Sequence, residues 1–160
     1  MTLVKFSMPV IFVKDISVSK QFYQDVLALE IENDFGENII FKNAFSIWQE
    51  KRAEEIIFGS FKNEIVKEKK NLELYFESSD IETINKRIKA KNIEIIHDLK
   101  EEPWGQRTLR FYDPDKFIIE IAEPLDAVII RLHKMKVPIK EIAKKTQMKL
   151  EYIKIVINKD

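Results

Sequence analysis

The feature of this chain that most restricts its fold is an internal repetition. An alternating stretch, an aspartate, an amphipathic helical run and a set of short β-rich segments fill about residues 4–49, and the same order returns over about 71–123. Asp15-Ile16 opens the first helical run and Asp80-Ile81 the second, each aspartate standing where a helix N-cap belongs. Leu29-Glu30-Ile31 follows the first helix as Ile93-Glu94-Ile95 follows the second, one residue out of step. Two βαβββ units of this kind cannot each bury both faces of a sheet. Pairing them covers the helix-facing side and leaves two curved sheets around a groove, the natural place for a site. The expected fold class is therefore α+β: paired βαβββ modules forming curved mixed sheets around a groove. One domain over 1–123 is expected to be followed by a helical extension over 124–160.

Local patterns place the elements. Lys5–Val13 reads as a strand with Pro9, Ile11 and Val13 on one face and Met8, Val10 and Phe12 on the other. Ile16, Phe22, Val26 and Leu27 recur at helical spacing, and Leu29–Asn33, Asn38–Phe41 and Phe45–Gln49 follow as three strands. Glu50–Asn71 is rich in Lys and Glu, has one short apolar patch at Ile56-Ile57-Phe58, and reads as a connector with room for a helical turn. In Leu72–Glu77 the apolar Leu72, Leu74 and Phe76 share a face opposite Glu73, Tyr75 and Glu77. A helix carrying Ile81, Ile84 and Ile88 and a strand at Ile93–Ile96 follow.

The hairpin Gln106–Tyr112 and Phe117–Ala122 turns at Asp113-Pro114-Asp115-Lys116, where proline fixes φ and the aspartates bond nearby backbone. In its second strand Phe117, Ile119 and Ile121 face one way and Ile118, Glu120 and Ala122 the other. Glu120 is thus a single carboxylate on an apolar strand, which belongs either at a solvated rim or in a cleft. By the same alternation Arg110 shares a face with Thr108 and Tyr112, placed to pair with Glu120 or to bind an anionic ligand.

Composition excludes several chemistries. Lys and Arg number 27 and Asp and Glu 27, so net charge supplies no general attraction to nucleic acid or an anionic membrane. Cysteine is absent, leaving only oxygen and histidine nitrogen as ligands for any metal. No apolar run approaches the ~20 residues of a membrane span, so a cytoplasmic, soluble protein is expected.

Val13-Lys14-Asp15, Phe22-Tyr23 and Val26-Leu27 in the first unit stand alongside Trp104-Gly105-Gln106-Arg107, Phe111-Tyr112-Asp113-Pro114-Asp115 and Ile119-Glu120-Ile121 in the second. In this combination the chain resembles the vicinal oxygen chelate superfamily of glyoxalases, extradiol dioxygenases and fosfomycin- and bleomycin-resistance proteins. The resemblance covers about Lys5 to Glu123. It implies a homodimer with a groove holding a small-molecule ligand and, commonly, one divalent ion such as Mg²⁺, Mn²⁺, Ni²⁺ or Zn²⁺. Carried over, Glu120 matches the last-strand glutamate ligand of the second unit, and Glu73 stands where that unit usually supplies histidine. The corresponding places in the first unit hold Met8 and Trp48. A thioether is soft and an indole offers no lone pair, so Glu120 and Glu73 form an incomplete, tentative metal set. The alternatives are an acid/base pair facing one another without metal, and solvated glutamates. A glyoxalase reaction is implied by the fold and opposed by these ligands. Phe12, Trp48, Tyr75, Trp104 and Arg110 are the candidate substrate-binding residues, while His97 and His133 are assigned surface or capping roles.

After Pro124 the period becomes helical, with runs at Leu125–Met135, Ile139–Lys145 and Leu150–Ile157. Residues 138–157 are similar to the helix-turn-helix of bacterial regulators, without the glycine often found in its turn. Lys140, Lys144, Lys145, Lys149 and Lys154 can meet phosphates, although no Arg, Asn or Gln series is placed to read bases. Two functions therefore stand: a small-molecule protein with a degenerate metal site, enzyme or binder, or a ligand-sensing or assembly protein whose tail contacts DNA or a second subunit.

Overall fold

In the computed structural model, residues 7–61 and 72–159 are described. Lys5 and Phe6 of the expected first strand and residues 62–71 of the expected connector lie outside the described residues. The chain divides into two compact units, Met1–Asn71 with Asp113–Phe117, and Leu72–Tyr112 with Ile118–Asp160.

The first unit runs β1 (Val10–Val13), α1 (Ile16–Leu27), β2 (Ile31–Asp34), β3 (Asn38–Phe41), β4 (Ser46–Gln49) and α2 (Glu50–Phe58). Asp15 caps α1 as expected, its carboxylate accepting from the Ser17 and Val18 amides. The strands order β1-β4-β3-β2, with β1 parallel to β4 and the other pairs antiparallel. Ile11, Val13, Ile39, Phe41 and Ile47 are buried together with Tyr23 and Val26 of α1. Tyr23 is the centre of this core, its ring 5.5 Å from Phe41 and 5.0 Å from Phe45. Its hydroxyl donates to Asp113 Oδ2 at 2.7 Å, while Asp113 Oδ1 accepts from the Asp115 and Phe117 amides. Asp113 thus bonds nearby backbone as expected, whereas the Asp115 carboxylate accepts from the distant Lys14 amide at 3.0 Å and Ser19 Oγ at 3.2 Å. Burial pushes the Asp113 carboxyl up to about 6.

One expectation fails here. The segment read as a connector begins with the nine-residue α2, closed by Gly59 at φ 78°. Its charge pattern conceals a narrow buried side, Ala53 and Glu54, which a count of Lys and Glu cannot reveal.

The second unit runs β5 (Glu73–Glu77), α3 (Ile81–Ala90), β6 (Ile95–Glu101), β7 (Arg107–Tyr112) and β8 (Ile118–Ala122). Its order, β5-β8-β7-β6, repeats that of the first sheet, with β5 parallel to β8. Leu74, Leu109, Phe111, Ile119 and Ile121 are buried, as are Ile81 and Ile88 of α3. The expected strand at Ile93–Ile96 starts later and runs on to Glu101, because pairing with β7 continues through Lys100 and Glu101.

Three helices complete this unit: α4 (Leu125–Lys134), α5 (Ile139–Thr146) and α6 (Leu150–Ile157). Val128, Ile129, Leu132, Ile142, Ile153 and Val156 form their shared core. The turn after α5 passes through Gln147 in the left-handed region at φ 58°, where a glycine is usual. Among the described residues no helix is long and apolar enough to cross a membrane.

Candidate functional site

Strand register builds a row of functional side chains across the second sheet. Tyr75 on β5 pairs with Glu120 on β8, Glu120 with Arg110 on β7, and Arg110 with His97 on β6. Residues at paired positions share a face. Leu74, Ile119, Ile121, Leu109 and Phe111 supply the opposite, buried face.

Arg110 is the hub. Its Nε donates to Glu73 Oε2 at 2.7 Å, reaching over β8, and its Nη2 is hydrogen-bonded to Glu120 Oε2. Nη1 donates to Glu102 Oε1 at 3.4 Å and lies 3.0 Å from His97 Nε2. The His97 Nδ1 stands 2.9 Å from the Asp98 carbonyl. The tautomer that satisfies both contacts carries its hydrogen on Nδ1 and accepts from Arg110 at Nε2. Glu102 also accepts from Thr108 Oγ1 at 3.0 Å and pairs with Lys100 at 3.2 Å.

Three carboxylates around one guanidinium leave an excess of negative charge, which falls on the least hydrated member. Glu120 is 4% exposed, and burial together with a hydrogen bond shared with Glu73 pushes its carboxyl up to about 7 against the opposing pull of Arg110. Burial would depress the Arg110 guanidinium, but Glu73, Glu120 and Glu102 hold it above its ordinary value. Burial and a hydrogen bond to Glu77 raise the Tyr75 phenol to about 12. Near neutrality this face therefore combines a fixed cation, a neutral phenol and a carboxyl able to give or take a proton.

Of the expected site residues, Glu73, Tyr75, Arg110 and Glu120 are brought together. Phe12 and Trp48 lie together in the first unit, paired in register with ring centroids 6.3 Å apart. Met8 is half-buried just before β1. Trp104 is outside the row, in the turn between β6 and β7, its Nε1 donating to Gln106 Oε1 at 2.9 Å. The Gln106 Nε2 in turn donates to the Tyr75 hydroxyl at 3.1 Å and the Glu123 carbonyl at 2.7 Å.

His97 and Glu102 were not anticipated as part of this constellation. Their one signal is the β6–β7 register, which no single strand displays. His97, expected at a strand end, lies inside β6 and contacts the hub. Glu123 was missed as well. Buried at 2% exposure, it accepts from Arg107 and Arg131, which hold its carboxyl below the usual range despite its burial.

The donor set does not suit a divalent ion. A guanidinium already bonds to both Glu73 and Glu120, and cation for cation it excludes the other. Met8 and Trp48 add no hard donor. Among the described residues, no group of three or more His, Asp or Glu side chains is arranged to hold a metal.

Residues 6–126 match the family described as a glyoxalase-like domain. The chain belongs to the glyoxalase-like family. Its fold is that of the vicinal oxygen chelate superfamily. Similar solved structures include a protein of unknown function from Agrobacterium tumefaciens, 39% identical over 77% of this chain and 96% of that one, with a TM-score of 0.70. A lactoylglutathione lyase from Agrobacterium tumefaciens shares the fold at 17% identity, 77% and 96% coverage and a TM-score of 0.60. A genomically encoded fosfomycin resistance protein from Listeria monocytogenes does so at 18% identity, 76% and 94% coverage and a TM-score of 0.57. No curated protein matches the chain. The family match ends at residue 126, so nearly all of α4 and the whole of α5 and α6 extend this glyoxalase-like protein beyond it.

Proposed function

We propose that this glyoxalase-like protein is a metal-independent binder of a small polar molecule, of the resistance or sequestering type. Its ligand is held by Glu120, Arg110 and Tyr75 on the face of the second sheet. The observation that supports this reading most is the Arg110 guanidinium bonded at once to Glu73 and Glu120. An extradiol dioxygenase or a metal-dependent lyase needs that space for its ion. Arg110 instead offers a planar fork for a carboxylate or another oxygen pair, and the Glu120 carboxyl offers a donor or an acceptor according to pH. Phe12 and Trp48 supply an apolar surface in the first unit. A homodimer in the cytoplasm is the setting that this reading adopts.

Calorimetric titration of Mn²⁺, Ni²⁺ and Zn²⁺ tests it. Wild type is expected to give negligible heat, while Arg110→Ala, which frees two carboxylates, acquires weak binding that Arg110→Ala/Glu120→Ala loses. Stoichiometric binding by wild type that disappears in Glu120→Ala would overturn the reading.

A second reading rests on α5 and α6, whose left-handed turn at Gln147 produces a helix-turn-helix outside the family match. Lys149 and Lys154 of this motif are exposed. If the tail binds DNA, an electrophoretic shift of mixed genomic DNA is abolished by Lys149→Glu/Lys154→Glu in the full chain. Full-chain variants are needed because deleting the tail would strip Glu123 of Arg131. Absence of any shift by wild type at low salt would dispose of this reading.

A further inference from the structure

A cleft of about 590 Å³ lies between the β6–β7 turn and the helical extension, within the second unit. Trp104 and Pro103 form one wall. Leu132 and Val137 form the other, with Glu141, Lys144 and Lys145 among its polar groups. Every lining residue except the two from the turn lies after residue 126, so the cleft exists only because this chain carries α4 and α5.

The aromatic wall is fixed in place. Two backbone hydrogen bonds of 2.8 Å, Glu102 N to Gln106 O and Gly105 N to Glu102 O, close the turn. The Gly105 carbonyl accepts from Arg131 Nη2 at 2.6 Å, which ties the turn to α4. Gly105 has φ +89°, and a Cβ there would stand 3.2 Å from Lys145 Cε, so glycine permits the close approach to α5. The indole is anchored through Nε1 to Gln106, yet Trp104 remains 41% exposed. A hydrogen-bonded tryptophan held with its ring open is arranged for stacking rather than for a core.

Charge defines the remainder of the ligand. Lys145 is paired with Glu101, and Lys144 has no ion-pair partner among the described residues. With Lys145 neutralised by Glu101, the lining keeps Glu141 and Lys144 as its uncommitted charges, and Lys144 is the cation open to an anion. We propose that this cleft binds a small planar aromatic carboxylate, its ring against Trp104 and between Leu132 and Val137, its anion at Lys144. The site is separate from the Arg110 row, though Gln106 touches both Trp104 and Tyr75.

The probe is 1-naphthoate, added to the full-length ¹⁵N-labelled protein. The chain has two tryptophans, so two indole N–H signals can be assigned with Trp48→Phe. The Trp104 signal is expected to shift saturably with Kd on the order of 1 mM, as the per-atom affinity of small ligands allows, while that of Trp48 stays still. Lys144→Gln, a change at an exposed side chain, weakens binding about fivefold, and the uncharged 1-naphthalenemethanol binds wild type equally weakly. A Trp104 signal that does not move at roughly tenfold that Kd overturns the site. Equal affinity of wild type for the acid and the alcohol overturns the assignment of its ligand class.

Discussion

The two four-stranded sheets share a strand order and part company on the face turned away from α1 or α3. In the first unit that face presents Phe12, Trp48, Asn38 and Ser46, an apolar and neutral surface whose polar contact is Ser46 to Asn38 at 3.2 Å. In the second it presents Glu73, Tyr75, Arg110 and Glu120, a polar row built around a guanidinium. The helix-facing sides are alike: Ile11, Val13, Ile39 and Ile47 in one, Leu74, Leu109, Ile119 and Ile121 in the other. A scaffold used twice retains its core because any loss there costs several kcal/mol, while the outer faces are free to diverge in chemistry. Each unit also buries an acid in its own manner. Asp113 is satisfied by a neutral phenol and two amides, Glu120 by a guanidinium and a shared proton.

That contrast is open to direct attack. Arg110→Ala should have the largest effect, about 3 kcal/mol at pH 8, because it leaves Glu73 and Glu120 together without their cation while Glu102 keeps only Lys100. At pH 5 the loss should be much smaller, since Glu120 can then be protonated. Trp48→Leu on the neutral face should cost less and equally at both pH values. Urea denaturation of the two variants at pH 5 and 8 reads this, and a pH-independent loss for Arg110→Ala would erase the distinction between the faces.

Next in size is the proton linkage of Glu120. Its folded value of about 7 lies above the ordinary 4.5, so between those values the folded chain holds a proton that the unfolded chain has released. Stability contributed by this group is therefore full below pH 4.5 and falls as pH rises toward 7. Glu120→Gln should lose about 2 kcal/mol less than wild type across that window. Asp113, also raised, contributes a slope of the same sign to both proteins, so it cancels in the difference. Parallel pH–stability curves for the two would show that Glu120 titrates normally.

The smallest effect is expected in the first unit. Tyr23→Phe removes the neutral donor to Asp113 Oδ2 but leaves the two amides on Oδ1, for a loss of about 1 kcal/mol. Thermal unfolding at pH 7 measures it. A loss matching that of Arg110→Ala would mean that the two acids are not held in different ways after all.

The repeated order of elements, the aspartate caps and the inward and outward faces of β5 and β8 were all legible in the chain alone. Caps and alternation depend on residues a few positions apart, and such spacing is written directly in a sequence. The match of Glu73, Tyr75, Arg110 and Glu120 to one face was legible for the same reason. Helix α2 was not, because a buried side two residues wide carries too little periodic signal among so many charges. The roles of His97 and Glu102 depended on which residue of β6 meets Arg110, and that register passes through two irregularities before it reaches Thr108. Only the folded chain decides such cross-strand partners, since a shift of one residue reverses every side chain it carries. For the same reason the sequence could name two acids as a tentative metal pair. Alternation along β7 already allowed Arg110 to pair with Glu120, but the tertiary structure was needed to bring Glu73 onto the same guanidinium.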